Sequence, residues 1–170
     1  LKSNGTLAFY NAPSLYQNLS SALSTGQWYH IAFVRNSGSL TVYVDGTAGT
    51  SASVGSLNFD SGSSVRIGDD VNASFPPIDG LIDEFALWKN HALTTSEISN
   101  LRGGASSGTL GEPVDISSIG TDHSGNSGPD NWWRMGDNDG ATGTTITDQG
   151  SGGKDGTLTN GPTFSTDLPA

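Results

Sequence analysis

The chain has 170 residues, no cysteine and a formal net charge of −10, with seven Lys and Arg against 17 Asp and Glu. So few basic residues leave no positive patch, which argues against partners such as nucleic acid or an anionic membrane surface. The absence of cysteine excludes disulfide frameworks, thiolate zinc sites and cysteine nucleophiles. Twenty-four glycines, with many Ser and Thr, favour β-structure with frequent turns.

The chain also lacks the marks of a membrane protein or of a complete secreted one. No apolar run approaches the roughly 20 residues of a membrane-spanning helix, so we expect no membrane insertion. The first residues read LKSNG, with neither an initiator methionine nor a signal peptide. We therefore expect a segment of a longer protein or a processed product.

Residues 27–46 carry the clearest strand pattern. The first run reads QWYHIAFVR and is apolar on both faces, as a strand inside a β-sandwich requires. The second, LTVYVDG, alternates cleanly between apolar and polar residues, and the Ser37-Gly38 turn predicts an antiparallel hairpin. Further strands are predicted at residues 6–10, 48–53, 64–68 and 81–88, the last of them central.

A short helix follows these strands. Thr94 and Glu97 have the Thr-x-x-Glu spacing of a capping box, which predicts a helix start at this point. Gly103 and Gly104 predict the helix end. One short helix among many strands indicates an all-β fold.

The rest of the chain divides into a linker and a second group of strands. Residues 105–130 are rich in Gly, Ser, Asp and Pro, and they are interpreted as a linker. Order returns at NWWRMG, residues 131–136, and short strands are predicted at 144–148 and 156–159.

The order of these motifs resembles the laminin-G-like and pentraxin-like domains. Residues 26–101, with QWYHIAFVR, LTVYVDG, DGLIDEFALW and LTTSEI, are similar to the C-terminal half of such a domain. The stretch DQGSGGKDGTL, residues 148–158, is similar to the opening strands of another. The resemblance implies an antiparallel jelly-roll β-sandwich of the concanavalin A type. It divides the chain into a half-sandwich (1–104), a linker (105–130) and the opening strands of a second module or a strand-donating segment (131–170).

Two explanations fit this layout. The chain is an excerpt from a tandem array, or the C-terminal strands complete a sandwich in this subunit or in a neighbour, as in donor-strand assembly. The strands that normally lie between the opening strands and the C-terminal half of such a domain are missing from the sequence. An unfinished sheet edge must be covered by something, which favours assembly.

The resemblance implies a structural calcium ion. Asp83 shares the predicted strand face of Phe85 and Leu87, and a buried carboxylate needs a partner or a ligand. The alternative is that loop amides satisfy it. In pentraxin-like proteins the loop after the Ile-Gly pair carries calcium ligands; here it holds Asp69 and Asp70, which a solvated turn would equally explain. The family's front strand adds two further candidate ligands, Asp148 and Asp155.

The adjacent tryptophans Trp132 and Trp133 are candidate ligand-binding residues. On a strand the two rings face opposite ways, so one is expected to be exposed, for sugar stacking, or to pack at an interface. Core packing is the expected fate of Trp28 and Trp88.

Catalysis is not expected. The same jelly roll hosts β-glucanases, but their alternating acidic strand pattern is absent here. Asp83 and Glu84 are adjacent, and on a strand they would point to opposite faces, which does not place two carboxyls across a substrate.

Two non-catalytic functions remain. The first is adhesion or assembly within an extracellular, cell-surface or virion protein such as a filament or tail fibre, with neighbouring copies or flanking domains as partners. The second is glycan recognition through edge loops; an accessory domain of a glycoside hydrolase is a further alternative. The acidic, Ser/Thr/Gly-rich sequence resembles modules of microbial surface and phage fibre proteins.

Overall fold

The structure, a computed structural model, consists of short strands and one helix. It describes residues 4–11, 14–16, 18–56, 65–69, 77–103, 116, 128–137 and 139–167. No helix in these ranges is long and apolar enough to cross a membrane. The elements are β1 (Phe9–Asn11), β2 (Ser14–Tyr16), β3 (Ile31–Asn36), β4 (Ser39–Val44), β5 (Thr47–Ala48), β6 (Ala52–Ser53), β7 (Phe85–Leu87), α1 (Thr95–Leu101), β8 (Asn131–Trp133), β9 (Thr145–Ile146) and β10 (Gly156–Thr157).

The predicted hairpin forms the largest sheet. β3 and β4 pair antiparallel, β5 and β6 both pair with β4, and the β3–β4 register places Phe33 opposite Val42. Ser37 and Gly38 both have positive φ, 48° and 85°, as the two-residue type I′ turn requires. The local sequence therefore predicts this hairpin correctly.

The apolar core lies on one face of β4. Leu40 and Val42 are buried there together with Leu7, Leu19 and Val54. The opposite face of β4 is polar, as its alternation predicts.

β3 is less covered than its sequence predicts. Ile31 and Phe33 lie opposite Val44 and Val42 and so share the core-facing side of the sheet. Val42 is 0% exposed, whereas Ile31 is 39% and Phe33 47% exposed. A strand apolar on both faces was expected in the sandwich interior; here its core-facing residues are only partly covered.

The strand predicted at 81–88 is shorter in the structure. β7 comprises only Phe85–Leu87, because Glu84 has a φ of 50°, which breaks the extended backbone. Asp83 and Glu84 therefore lie before the strand, and the alternation argument does not fix which faces they occupy. The described part of the predicted 64–68 strand, residues 65–68, is not in a strand.

The helix begins as predicted. The Thr94 hydroxyl accepts a hydrogen bond from the Glu97 amide and the Glu97 carboxylate accepts one from the Thr94 amide, so the capping box is complete. His91 Nε2 lies 2.8 Å from Glu97 Oε1, and both side chains are buried. Gly103, with a φ of 75°, follows the last turn.

The C-terminal segment joins the first part of the chain through a strand pair. β8 pairs antiparallel with β7, with Ala86 opposite Trp132, and β9 pairs with β10. Of the predicted linker 105–130, only Ile116 and residues 128–130 lie within the described ranges, and Ile116 is buried. The division of the chain into these three segments stays a prediction.

Candidate functional site at the β7–β8 junction

Four charged residues beside β7 and β8, together with one tryptophan of β8, form a cluster. It is here called the Glu84 cluster and comprises Asp83, Glu84, Trp132, Arg134 and Asp137. Arg134 Nε donates to Glu84 Oε1 at 2.8 Å, and Trp132 Nε1 donates to Glu84 Oε2. Arg134 also pairs with Asp137 at 2.9 Å and lies 5.1 Å from the centre of the Trp132 ring. One guanidinium therefore connects two carboxylates and one aromatic face.

Burial dominates the electrostatics of this cluster. It raises the pKa of Glu84 above its ordinary value, although the hydrogen bonds from Arg134 and Trp132 oppose it. Burial likewise raises the pKa of Asp83, helped by the nearby Asp137, while the Glu84 amide and Arg134 act the other way. The Asp83 carboxylate accepts a 2.9 Å hydrogen bond from that amide. Both acids thus carry a cost of ionisation in the folded chain.

Asp148 is the centre of a second polar structure, the Asp148 loop (residues 148–154). Its carboxylate accepts four hydrogen bonds, from Asn131 Nδ2 at 2.6 Å and from the amides of Trp132 (2.8 Å), Gly150 (2.9 Å) and Lys154 (2.7 Å). Burial alone would raise the pKa of Asp148, but these donors outweigh it and hold the pKa below its usual value. The loop is thereby fastened to β8.

Close packing explains two glycines of this loop, Gly150 and Gly152. A Cβ atom at Gly150 would lie 2.6 Å from the Asn131 Cα, which is closer than real side chains approach. Asp155, which follows the loop, is exposed and accepts a 3.0 Å hydrogen bond from the Asp148 amide. The Ser- and Gly-rich sequence of residues 148–158 therefore lets the chain lie directly against β8.

The two candidate tryptophans are both interior residues. Trp132 is 4% and Trp133 8% exposed, and Trp133 Nε1 donates to the Lys154 carbonyl at 2.8 Å. Trp133 also packs against Phe85, with ring centres 6.0 Å apart. Neither ring is exposed, contrary to the expectation for one of them, so sugar stacking at this pair has no support from their placement.

The predicted calcium ligands are not brought together within the described ranges. Calcium takes about six to eight oxygen ligands, and no three acidic or histidine side chains in the described part of the chain form a group that could hold a metal ion. Four donors already fill the four acceptor positions of Asp148, which could bind an ion only by losing hydrogen bonds. Asp69 is exposed, and Asp70 lies outside the described residues. Asp83 keeps acceptor capacity and is the candidate that fits best.

A polar groove lies on the opposite face of the β3–β4 hairpin. Its volume is about 610 Å³, and it is bounded by the two strands and by the loop that leads into α1. Six of its ten lining residues carry a hydroxyl group, Val34, Ala92 and Leu93 add apolar surface, and no charged side chain is among the described residues that line it. The lining includes Asn36, Ser39, Thr41, Tyr43, Thr94 and Thr95.

Comparison with known proteins identifies the class to which this fold belongs. A laminin-G-like family model, described as the concanavalin A-like lectin/glucanases superfamily, matches residues 1–99. The chain belongs to this superfamily, and the predicted antiparallel all-β sandwich with one short helix is confirmed.

Other comparisons add little detail. An S-layer domain-containing protein from Clostridium thermocellum (residues 221–444) is similar in structure, with 27% identity and a TM-score of 0.41. The match covers 48% of this chain and 42% of that chain, which is less than half of each. No curated protein matches the chain at a significant level.

Sequence reasoning missed the partners of Glu84 and of His91. Trp132 and Glu84 are 48 positions apart, and no local pattern links them. The Arg134–Asp137 pair, three positions apart, was the available signal for a charged cluster after β8. For His91, its position three residues before the Thr94 cap was the available signal.

Proposed function

We propose that the chain is a non-catalytic adhesion and assembly module of a larger extracellular, cell-surface or virion protein. One observation carries this proposal: two apolar residues on the core-facing side of β3, Ile31 and Phe33, are incompletely covered. Phe33 is 47% exposed beside a fully buried Val42, as in a sandwich that lacks part of its second sheet. The partner we propose is the apolar face of a neighbouring copy of the same chain.

The charge of the chain makes the proposed association sensitive to ions. Each copy carries a net charge of −10, so two copies repel at low ionic strength. Salt or a divalent cation would screen that repulsion. Apolar contact and ionic screening together are therefore expected to control the assembly.

The non-catalytic proposal is supported by how the acids are used. Both oxygens of Glu84 accept hydrogen bonds from Trp132 and Arg134, and Asp148 accepts four. Carboxylates engaged in this way stabilise the junction of β7 and β8.

The first test is the mass of the native particle. We expect particles larger than a monomer between 1 and 100 µM (roughly the range of specific associations), larger in calcium or added salt than in EDTA. Phe33→Ser should weaken association about 3- to 10-fold, because full burial of a Phe contributes about 1.5–3 kcal/mol and association can bury only the exposed 47% of this side chain. Light scattering or sedimentation at graded concentrations measures this shift.

The matched control is Tyr10→Ser. Tyr10 is also an exposed aromatic residue, at 57%, but it lies on β1 outside the proposed contact. Equal weakening by both variants would contradict a specific role for β3. A monomer in every buffer would exclude assembly and leave the second candidate, in which the hydroxyl-lined groove binds an uncharged glycan.

Calcium stabilisation is a separate part of the proposal, and it depends on Asp83. We expect calcium to raise the Tm of the wild-type chain and to leave the Tm of Asp83→Ala unchanged. Without calcium, Asp83→Ala should be no less stable than wild type at neutral pH. The pKa of Asp83 is raised in the folded state, so its ionisation lowers stability as pH rises through the interval above its ordinary value of 3.8.

Thermal melts of both proteins in calcium and in EDTA test this assignment. Asp69→Ala provides the comparison for the second predicted ligand, because Asp69 is exposed and lies in the other predicted calcium loop. An equal calcium response in wild type and Asp83→Ala would remove Asp83 from the site.

A further inference from the structure

The contact between β7 and β8 joins two parts of the chain that are far apart in sequence. Besides the strand ladder, the Asp130 amide donates to the Leu87 carbonyl at 2.9 Å and the Lys89 amide donates to Asp130 Oδ2 at 2.6 Å. The Glu84 cluster lies at the other end of the β7–β8 strand pair. This interface has both backbone complementarity and a charge pair, so it can recognise a specific partner strand.

The segment that carries β8 has its own internal structure. The Asp148 carboxylate holds Asn131 and the amides of its loop, β9 pairs with β10, and the Trp133 indole donates to the Lys154 carbonyl. The Leu158 amide donates to the Thr144 carbonyl at 2.7 Å. Residues 128–167 are thus linked to one another as well as to β7, and they can be transferred as a unit.

The length of the connection permits such a transfer. Between Gly103 and this segment, 12 residues (104–115) precede the buried Ile116 and 11 residues (117–127) follow it. Even the shorter part can span about 36 Å when extended, at about 3.3 Å per residue. A second copy whose β7 lies within that distance is therefore within reach of the segment.

We propose that residues 128–167 are an exchangeable strand donor: β8 of one copy pairs with β7 of a second copy, and the second copy returns its own β8. Pairing of β7 and β8 within one copy (cis) and between two copies (trans) makes the same contacts. The protein concentration therefore decides which pairing prevails. A tethered segment has an effective concentration of the order of millimolar. At micromolar concentration the cis form dominates, and trans pairing competes when copies are crowded in an array. The exchange does not depend on the apolar face of β3.

The test uses the ion pair of Glu84 and Arg134. In the Glu84→Arg variant, the new guanidinium lies beside that of Arg134 in the same copy, so two positive charges meet. In the Arg134→Glu variant, the new carboxylate lies beside that of Glu84, so two negative charges meet. A reciprocal exchange between the two variants matches opposite charges at both junctions, one native and one reversed. Neither variant gains this match by pairing with itself.

The two variants, one labelled with nitrogen-15, are mixed in equal amounts and measured by native mass spectrometry. We expect the mixed dimer to exceed either self-dimer at least tenfold. The double variant Glu84→Arg/Arg134→Glu matches its charges within one copy and should form no more dimer than the wild-type chain at the same micromolar concentration. A mixture that contains only monomers, or statistical amounts of all dimers, would overturn strand exchange.

An experiment with the wild-type chain tests strand exchange if either single variant fails to fold. Labelled and unlabelled wild-type chains are refolded together at about 1 mM, the effective concentration expected for the tethered segment, and then diluted. Mixed-isotope dimers that persist on dilution support the exchange, and their absence overturns it. Phe33→Ser in the same arm separates the two proposals, because it weakens assembly through β3 and leaves the β7–β8 exchange intact.

Discussion

Asp148→Ala is expected to lower the free energy of unfolding by about 3–5 kcal/mol, since buried donors without an acceptor cost about 1–3 kcal/mol each. The carboxylate is 9% exposed and satisfies Asn131 Nδ2 and the amides of Trp132, Gly150 and Lys154. The substitution leaves the Trp132 amide and the Asn131 side chain, both in buried residues, without this acceptor. The loop then loses its side-chain attachment to β8 and keeps backbone hydrogen bonds such as that from the Gln149 amide to the Trp132 carbonyl.

Urea denaturation followed by tryptophan fluorescence measures this loss, because two of the four tryptophans lie in β8. Asp155→Ala is the matched control, since Asp155 is exposed and its carboxylate accepts a hydrogen bond from the Asp148 amide. We expect less than about 1 kcal/mol for the control, the usual worth of one exposed hydrogen bond. Equal losses of unfolding free energy in the two variants would mean that the four hydrogen bonds to Asp148 stabilise the chain no more than the single hydrogen bond to Asp155.

Glu97→Ala is the second large effect, with an expected loss of about 2–3 kcal/mol from a helix cap and the buried hydrogen bond between Glu97 and His91 together. Burial alone would raise the pKa of Glu97, but the Thr94 amide and His91 outweigh it and lower the pKa to about 2. The ordinary value is 4.5, so wild-type stability should fall by an amount on the order of 3 kcal/mol as pH drops from about 4.5 to 2. This contribution is fully present above the unfolded-state pKa, because the folded pKa is depressed.

Unfolding free energies at several pH values test this prediction. Glu97→Gln keeps an oxygen for the Thr94 amide but does not titrate, so the difference between wild type and this variant should disappear toward pH 2, near the folded pKa. Ser96→Ala, an exposed change in the same helical turn, should stay within about 0.5 kcal/mol of wild type. A wild-type minus Glu97→Gln difference that is constant with pH would contradict the assigned pKa.

The sequence by itself determined the features that depend on neighbouring residues. The Ser37-Gly38 turn supplies the positive φ values of a two-residue hairpin, and Thr94 with Glu97 completes a cap within one helical turn. Alternation along 40–44 places Leu40 and Val42 in the core. The order of these motifs was also enough to indicate the superfamily.

Only the tertiary structure decided which distant residues meet. The positive φ of Glu84 ends the extended backbone that alternation assumes, so the placement of Asp83 could not be inferred from strand period. The four donors to Asp148 come from two separate stretches of chain, and the partners of Glu84 lie about fifty positions away. Ile31 and Phe33 have the composition of core residues, but burial depends on what another part of the chain or another copy places over them. Local geometry is encoded by adjacent side chains, whereas burial and long-range pairing depend on the whole folded arrangement.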